Sequence, residues 1–192
     1  MKNPALRLRH WEHLKVEVGK PFDPESSEFT LESLFALGLD GYADIIGQMS
    51  IGATKELAIE DGLRNIEEQW RNVSLELVQH KDTEYYRLRS ADDIFQLLED
   101  HQVTLSTMKS SRYFYALEAE VESWERILSH ILETVEMILQ VQRGWRYLEN
   151  IFSGFEDIRK QLPAESSIFD KVIISSVRRT NHNQLFINIL AR

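Results

Sequence analysis

The chain has 192 residues, 43% of them hydrophobic and 28% charged, which is enough for one or two packed units with a well-solvated surface. A formal net charge of -9 with no basic block argues against a nucleic-acid binder. The absence of cysteine excludes disulfides and thiolate metal sites.

No apolar run approaches the ~20 residues that span a bilayer, and the opening MKNPALRLRHWEHLK lacks the apolar core of a secretory signal. Cytosolic or cytoskeletal residence is therefore expected, with neither membrane nor nucleic acid as a partner. Lys2, Arg7, Arg9, Lys15 and Lys20 make the first twenty residues locally basic. Cations spread this thinly are expected to form a solvated surface.

Glycine and proline are sparse and clustered. Gly19, Pro21 and Pro24 mark a loop over 19–28, Gly38 and Gly41 a short break, and Gly154 and Pro163 another. The long stretches between them favour helix, so the fold class expected is mainly α: an elongated bundle of long helices. Residues 29–37 (FTLESLFAL) predict a short helix capped by Thr30, with Ser33 in its first turn. Residues 42–72 predict a longer one, whose Ile59, Leu63, Ile66 and Trp70 fall on one face.

Between about 73 and 90 the pattern changes. Val73, Leu75 and Leu77 alternate, Tyr85, Tyr86 and Leu88 favour strand, and the polar run 80–84 separates the two sets. This predicts one small β-hairpin. Helix resumes over 91–109, with Asp92 and Asp93 at its positive end and Ile94, Leu97, Leu98 and Leu105 on its apolar side.

Residues 112–152 carry the longest signal. Leu117, Val121, Trp124, Leu128, Ile131, Val135 and Ile138 alternate by four and three, and Trp145, Leu148 and Phe152 resume the face. The period is close to 3.5, the pattern of a straight seam. About 40 helical residues at roughly 1.5 Å each would make a rod near 60 Å long. By periodicity alone, such a rod is either one helix of an ordinary bundle or a rigid strut.

Chemistry-bearing patterns are not found. Gly19-Lys20-Pro21 lacks the earlier glycine and the hydroxyl of a phosphate loop, and no Gly-x-Ser-x-Gly elbow occurs. His10 and His13 would share a helix face but have no third ligand, so a surface pair is expected. Glu118, Glu120, Glu122 and Glu125 read as solvated charge. Trp11, Trp70, Trp124 and Trp145 read as packing residues rather than stacking platforms for bases. No catalytic residue, cofactor or metal is expected.

Several ordered blocks together resemble the second N-terminal region of dynein heavy chains. They are Arg9-His10-Trp11 with Leu14 and Gly19; FTLESLFALGL at 29–39 with Tyr42 and Ile45; and Ala53, Lys55-Glu56, Ile59-Glu60, Leu63, Ile66 and Trp70. Leu98-Glu99-Asp100-His101 follows, then Met108, Ser110 and Trp124-Glu125, and finally VQRGWRYLENIF with EDIRKQLP over 141–163. The set covers about residues 7–172, and its last block looks more axonemal than cytoplasmic. Two departures stand out: Ile138-Leu139 replace a tryptophan the family often carries before the VQ pair, and the sequence after FDKV (169–172) leaves the pattern.

The resemblance implies a mechanical linker, a bundle-like arch lying across a ring of AAA+ modules and bending as nucleotide changes there. It implies the ring and the dynein intermediate and light chains as partners, contact with the microtubule only through the parent motor, and residence in the axoneme of a cilium or flagellum. Three parts are expected: an N-terminal segment and loop (1–28), a linker-like helical region (29–172) and a divergent tail (173–192). Such a tail would suit a truncated isoform, a gene-model error or a partial product that stops before the ring. The long helix then reads as a lever, and the fragment itself as no enzyme. The alternative is a stand-alone helical interaction module.

Overall fold

The computed structural model describes residues 3–24, 26, 29–81 and 86–180, with side chains up to Lys171. Helix dominates, as expected. Within the N-terminal segment, Leu8–Val18 form α1. Its buried positions are His10, Leu14 and Val18, a face disguised in sequence by the histidine. Gly19 ends the helix in the left-handed region (φ 68°), where its N–H donates to Lys15 O at 2.9 Å.

Leu31–Ala36 form α2, with Thr30 Oγ1 accepting from the Ser33 N–H, the cap expected from the sequence. A 3-10 turn at Leu39–Tyr42 leads into α3, Ala43–Asn72. The hairpin pairs β1 (Leu77–Gln79) with β2 (Tyr86–Leu88) antiparallel, in the register Leu77↔Leu88, Val78↔Arg87, Gln79↔Tyr86. Val73 and Leu75, expected in the first strand, precede it and lie half-buried against the core. Their alternation thus belongs to extended chain laid on helices rather than to a ladder. The turn expected over 80–84 lies mostly outside the described residues.

Asp92–Lys109 form α4. A second 3-10 turn, Phe114–Leu117, opens α5 (Glu118–Gly154), which starts later than the apolar period suggests because Phe114 and Leu117 are buried from that turn. Glu156–Gln161 form α6, and Pro163 stands first in α7, Pro163–Thr180, where a missing N–H costs nothing.

Two apolar clusters share α3. Its first half supplies Ile45, Ile46 and Met49 to a cluster centred on Leu14, Val18 and Leu39. Trp11 meets Phe22 and Phe29 edge-on there, at 6.4 and 6.3 Å. Its second half supplies Ile59, Leu63, Ile66 and Trp70 to the main core, with Leu98 and Leu105 of α4 and Val121 and Leu128 of α5. Gly62 lets α3 and α4 meet closely: a Cβ there would stand 2.3 Å from Met108 Cε.

The seam of α5 does not run straight to its end. Val121, Leu128 and Val135 are buried, but Ile138 is 36% exposed. The reason is length. The 18 residues of α4 span about 27 Å and the 37 of α5 about 55 Å, so α5 overhangs its partner by half. The overhang is served instead by the hairpin on one side and by α7 on another. Trp145 stacks on Phe169 at 4.0 Å with the rings 4° from parallel, and Phe152 lies 5.2 Å from the same ring. Arg159 of α6 locks this corner by donating to Phe152 O at 2.8 Å and pairing with Asp170 at 3.1 Å.

Candidate functional site

The polar groups with most structure around them are side-chain pairs between elements. Each group joins two elements. The first lies between α1 and α3. Arg7 pairs with Glu60 at 2.8 Å, and Arg9 reaches both Glu56 and Glu60. Two of the cations read as solvated surface are therefore cross-helix clips. Arg7's hydrogen bond holds the Glu60 carboxyl below the usual carboxylate range.

His10 is not part of a surface pair either. It is buried, while His13 is exposed beside Glu17 at 3.9 Å. Its Nδ1 accepts the Arg7 backbone N–H at 2.9 Å, so Nε2 carries the proton that faces Glu56 at 3.0 Å. The spacing that matters for His10 is therefore not the step to His13 but the one back to Arg7, a helix-cap spacing in which residue N3 reaches back to the N-cap.

Beside this network a cleft of about 660 Å³ opens between α1, α3 and Tyr113, floored by Ile45, Met49 and Gly52 and edged by Glu17, Asp44 and Glu56. Its Glu56, Arg9 and His10 are engaged with one another. Among the described residues, no group of three or more His, Asp or Glu side chains could hold a metal, and no helix is long and apolar enough to cross a membrane.

The second polar group lies in the main core. Trp70 Nε1 donates to His101 Nδ1 at 2.9 Å, with both residues buried. Burial pushes the His101 pKa down, against an opposing pull from Asp100. The third joins the hairpin to α5: His80 and Lys81 meet Glu149, and Gln142 bonds both backbone groups of Leu88. Sequence reasoning includes Gln142 and Glu149 in the 141–163 resemblance block but gives them no role, because an amide or carboxylate on a helix shows none until a partner from another element is placed beside it. Glu118, Glu120 and Glu122 are exposed, as expected, while Glu125 pairs with Lys109 at 2.9 Å.

The outer face of the α5 overhang is apolar. Met137, Val141 and Leu148 recur along one side and are 64%, 66% and 42% exposed. Gly144 lies in the same line with open space where a Cβ would stand. A stripe of this kind is surface suited to another helix.

These features define a helical packing segment, clipped by polar pairs and built around one long helix. The chain belongs to the dynein heavy chain family: it matches the family described as dynein heavy chain, N-terminal region 2, over residues 1–183. It is 56% identical over 172 residues to dynein axonemal heavy chain 2 of Mus musculus, covering 90% of this chain and 4% of that protein. It is 52% identical over 172 residues to the dynein-1-beta heavy chain of the flagellar inner arm I1 complex of Chlamydomonas reinhardtii, with the same coverage. With dynein axonemal heavy chain 1 of Rattus norvegicus it shares 34% over 192 residues, 98% of this chain and 4% of the relative. The chain thus spans about 4% of the length of these curated relatives.

Proposed function

We propose that this chain is a mechanical linker segment of an axonemal dynein heavy chain, carrying conformational change from an AAA+ ring toward movement along the microtubule. The observation that carries this reading is α5: 37 residues of unbroken helix in a segment of dynein heavy-chain family. An element that transmits force needs stiffness, and a helix packed along one side supplies it through backbone hydrogen bonds and side-chain contacts.

In this reading the exposed stripe of α5 docks neighbouring heavy-chain sequence. The ring of the same chain is the principal partner, with intermediate and light chains in the same complex, and the segment works in the axoneme of a cilium or flagellum. It contributes no catalysis: the ATP chemistry resides in the ring, and the segment by itself binds and hydrolyses none.

The test is a chimera. Residues 1–172 replace the matching segment of an axonemal heavy chain, and microtubule gliding and ATPase are measured with and without Leu128→Pro. Proline in a helix interior costs ~3 kcal/mol or more and breaks the rod. The expected result is gliding by the chimera, and ATP turnover without gliding once α5 is broken. Unchanged gliding speed with the proline in place would overturn the lever assignment.

A second reading, a stand-alone interaction module, is favoured by the same apolar stripe. It expects the pure 192-residue chain to self-associate or to recover a partner from ciliated cells. A monodisperse monomer at tens of micromolar that recovers nothing would remove it.

A further inference from the structure

We propose that the β-hairpin is a splint for α5, bracing the helix across Gly144 from clip points on either side of it. The argument begins with the weakness it offsets. Glycine in a helix interior lowers the local folding equilibrium about fivefold relative to alanine. In many proteins the loss is offset by a close approach that only glycine allows. Gly144 has no such reason within this structure, since nothing lies within 4 Å of the position a Cβ would take. It also sits beyond the reach of α4, in a stretch where Met137, Val141 and Tyr147 are exposed.

The hairpin meets α5 at two places that straddle this glycine. On its N-terminal side, Gln142 Oε1 accepts the Leu88 N–H at 2.9 Å, and its Nε2 donates to Leu88 O at 3.0 Å. The side-chain amide thereby stands in for the next strand of the sheet. On the C-terminal side, Glu149 receives His80 Nε2 at 2.9 Å and Lys81 Nζ at 3.0 Å. The His80 and Glu149 side chains are only 10% and 13% exposed, so this contact is largely removed from solvent.

The two spacings agree. Residues 142 and 149 are seven apart, two helical turns, or about 10.5 Å along α5. Leu88 is paired with Leu77, and from Leu77 to His80 is three strand steps, or about 10 Å. A stiff two-stranded ribbon is therefore pinned to the helix at both ends of a matching interval, and bending at Gly144 must stretch or break one of the pins. Leu88 is itself buried in the main core and Leu77 packs against it, so the ribbon that carries the two polar pins is anchored to the body of the segment. This role for the hairpin holds whether or not the lever reading of α5 stands.

The test is hydrogen exchange of the α5 amides over 143–150 in the 192-residue chain. Four forms are compared: the native sequence, Gln142→Leu with Glu149→Leu, Gly144→Ala, and all three changes together. Losing both clips is expected to speed exchange over 143–150 about tenfold, the equivalent of one or two net hydrogen bonds. With Gly144→Ala in place the same loss is expected to change exchange by less than about twofold, because the helix no longer needs the brace.

An equal factor with and without Gly144→Ala would overturn the proposal, as would unchanged exchange over 143–150 when both clips are lost. Protection over 98–105 reports the main core and is expected to hold in all four forms. Its collapse on clip removal would equally overturn the proposal, because the clips would then hold the domain rather than the helix.

Discussion

Leu128→Ala is expected to destabilise the chain by about 2–5 kcal/mol, whereas Leu148→Ala, the same change on the same helix, is expected to cost less than about 1 kcal/mol. Leu128 is fully buried between α4 and the core, and Leu148 is 42% exposed. Truncating Leu128 removes buried methyl groups and leaves a cavity that the surrounding helices fill only in part. Truncating Leu148 removes atoms that mostly face solvent. Both residues extend the same near-heptad run in sequence, so the pair separates periodicity from packing. Urea unfolding of the two variants measures it: a midpoint shift for Leu148→Ala as large as that for Leu128→Ala would mean that the outer stripe of α5 is packed after all.

Trp70→Ala is expected to cost about 3–5 kcal/mol, and Trp70→Phe about 1–3 kcal/mol. The first removes a side chain that is only 3% exposed. The second keeps most of the ring but leaves His101 Nδ1 without its donor in a buried site. The same pair makes stability depend on pH. Burial lowers the folded pKa of His101 from its ordinary value of 6.5, so the unfolded chain takes up this proton first. The contribution of His101 is fully present above about pH 6.5 and is lost as pH falls from there through the lowered folded value. His101→Gln, whose amide oxygen can accept from Trp70, is expected to flatten this part of the profile between pH 7.5 and 5. An unchanged slope in that variant would show that His101 titrates alike in both states.

Much of the helix inventory is legible without coordinates. Ile59, Leu63, Ile66 and Trp70 mark the buried side of α3, and the punctuation at Gly154 and Pro163 marks where α5 and α6 end. Thr30 caps α2 because a hydroxyl one residue before a helix can accept its free N–H, a property of neighbours in sequence. The hairpin is likewise local, with β-favouring residues on both sides of a polar run. These are short-range effects, and single-chain periodicity reports them well.

What the sequence could not disclose depends on which residues from distant elements meet. His10 reads as one of a surface pair and is instead a buried helix cap facing Glu56, 46 positions away. Arg7 and Arg9 read as solvated and are tied to α3. Gln142 and Glu149 belong to the 141–163 resemblance block but show no role there, yet they meet Leu88 and His80 from 54 and 69 positions away. In each case a polar side chain gains its role only from a partner supplied by the fold.

The long helix joins the two kinds of information. That one long helix fills most of residues 112–152 was determined by the sequence itself, because backbone hydrogen bonding and a 3.5-residue apolar repeat are properties of the segment. Which part of that repeat is core was decided only by the tertiary structure. Leu128 faces α4, while Val141 and Leu148 extend past the end of α4 into solvent, because an 18-residue helix cannot cover one of 37.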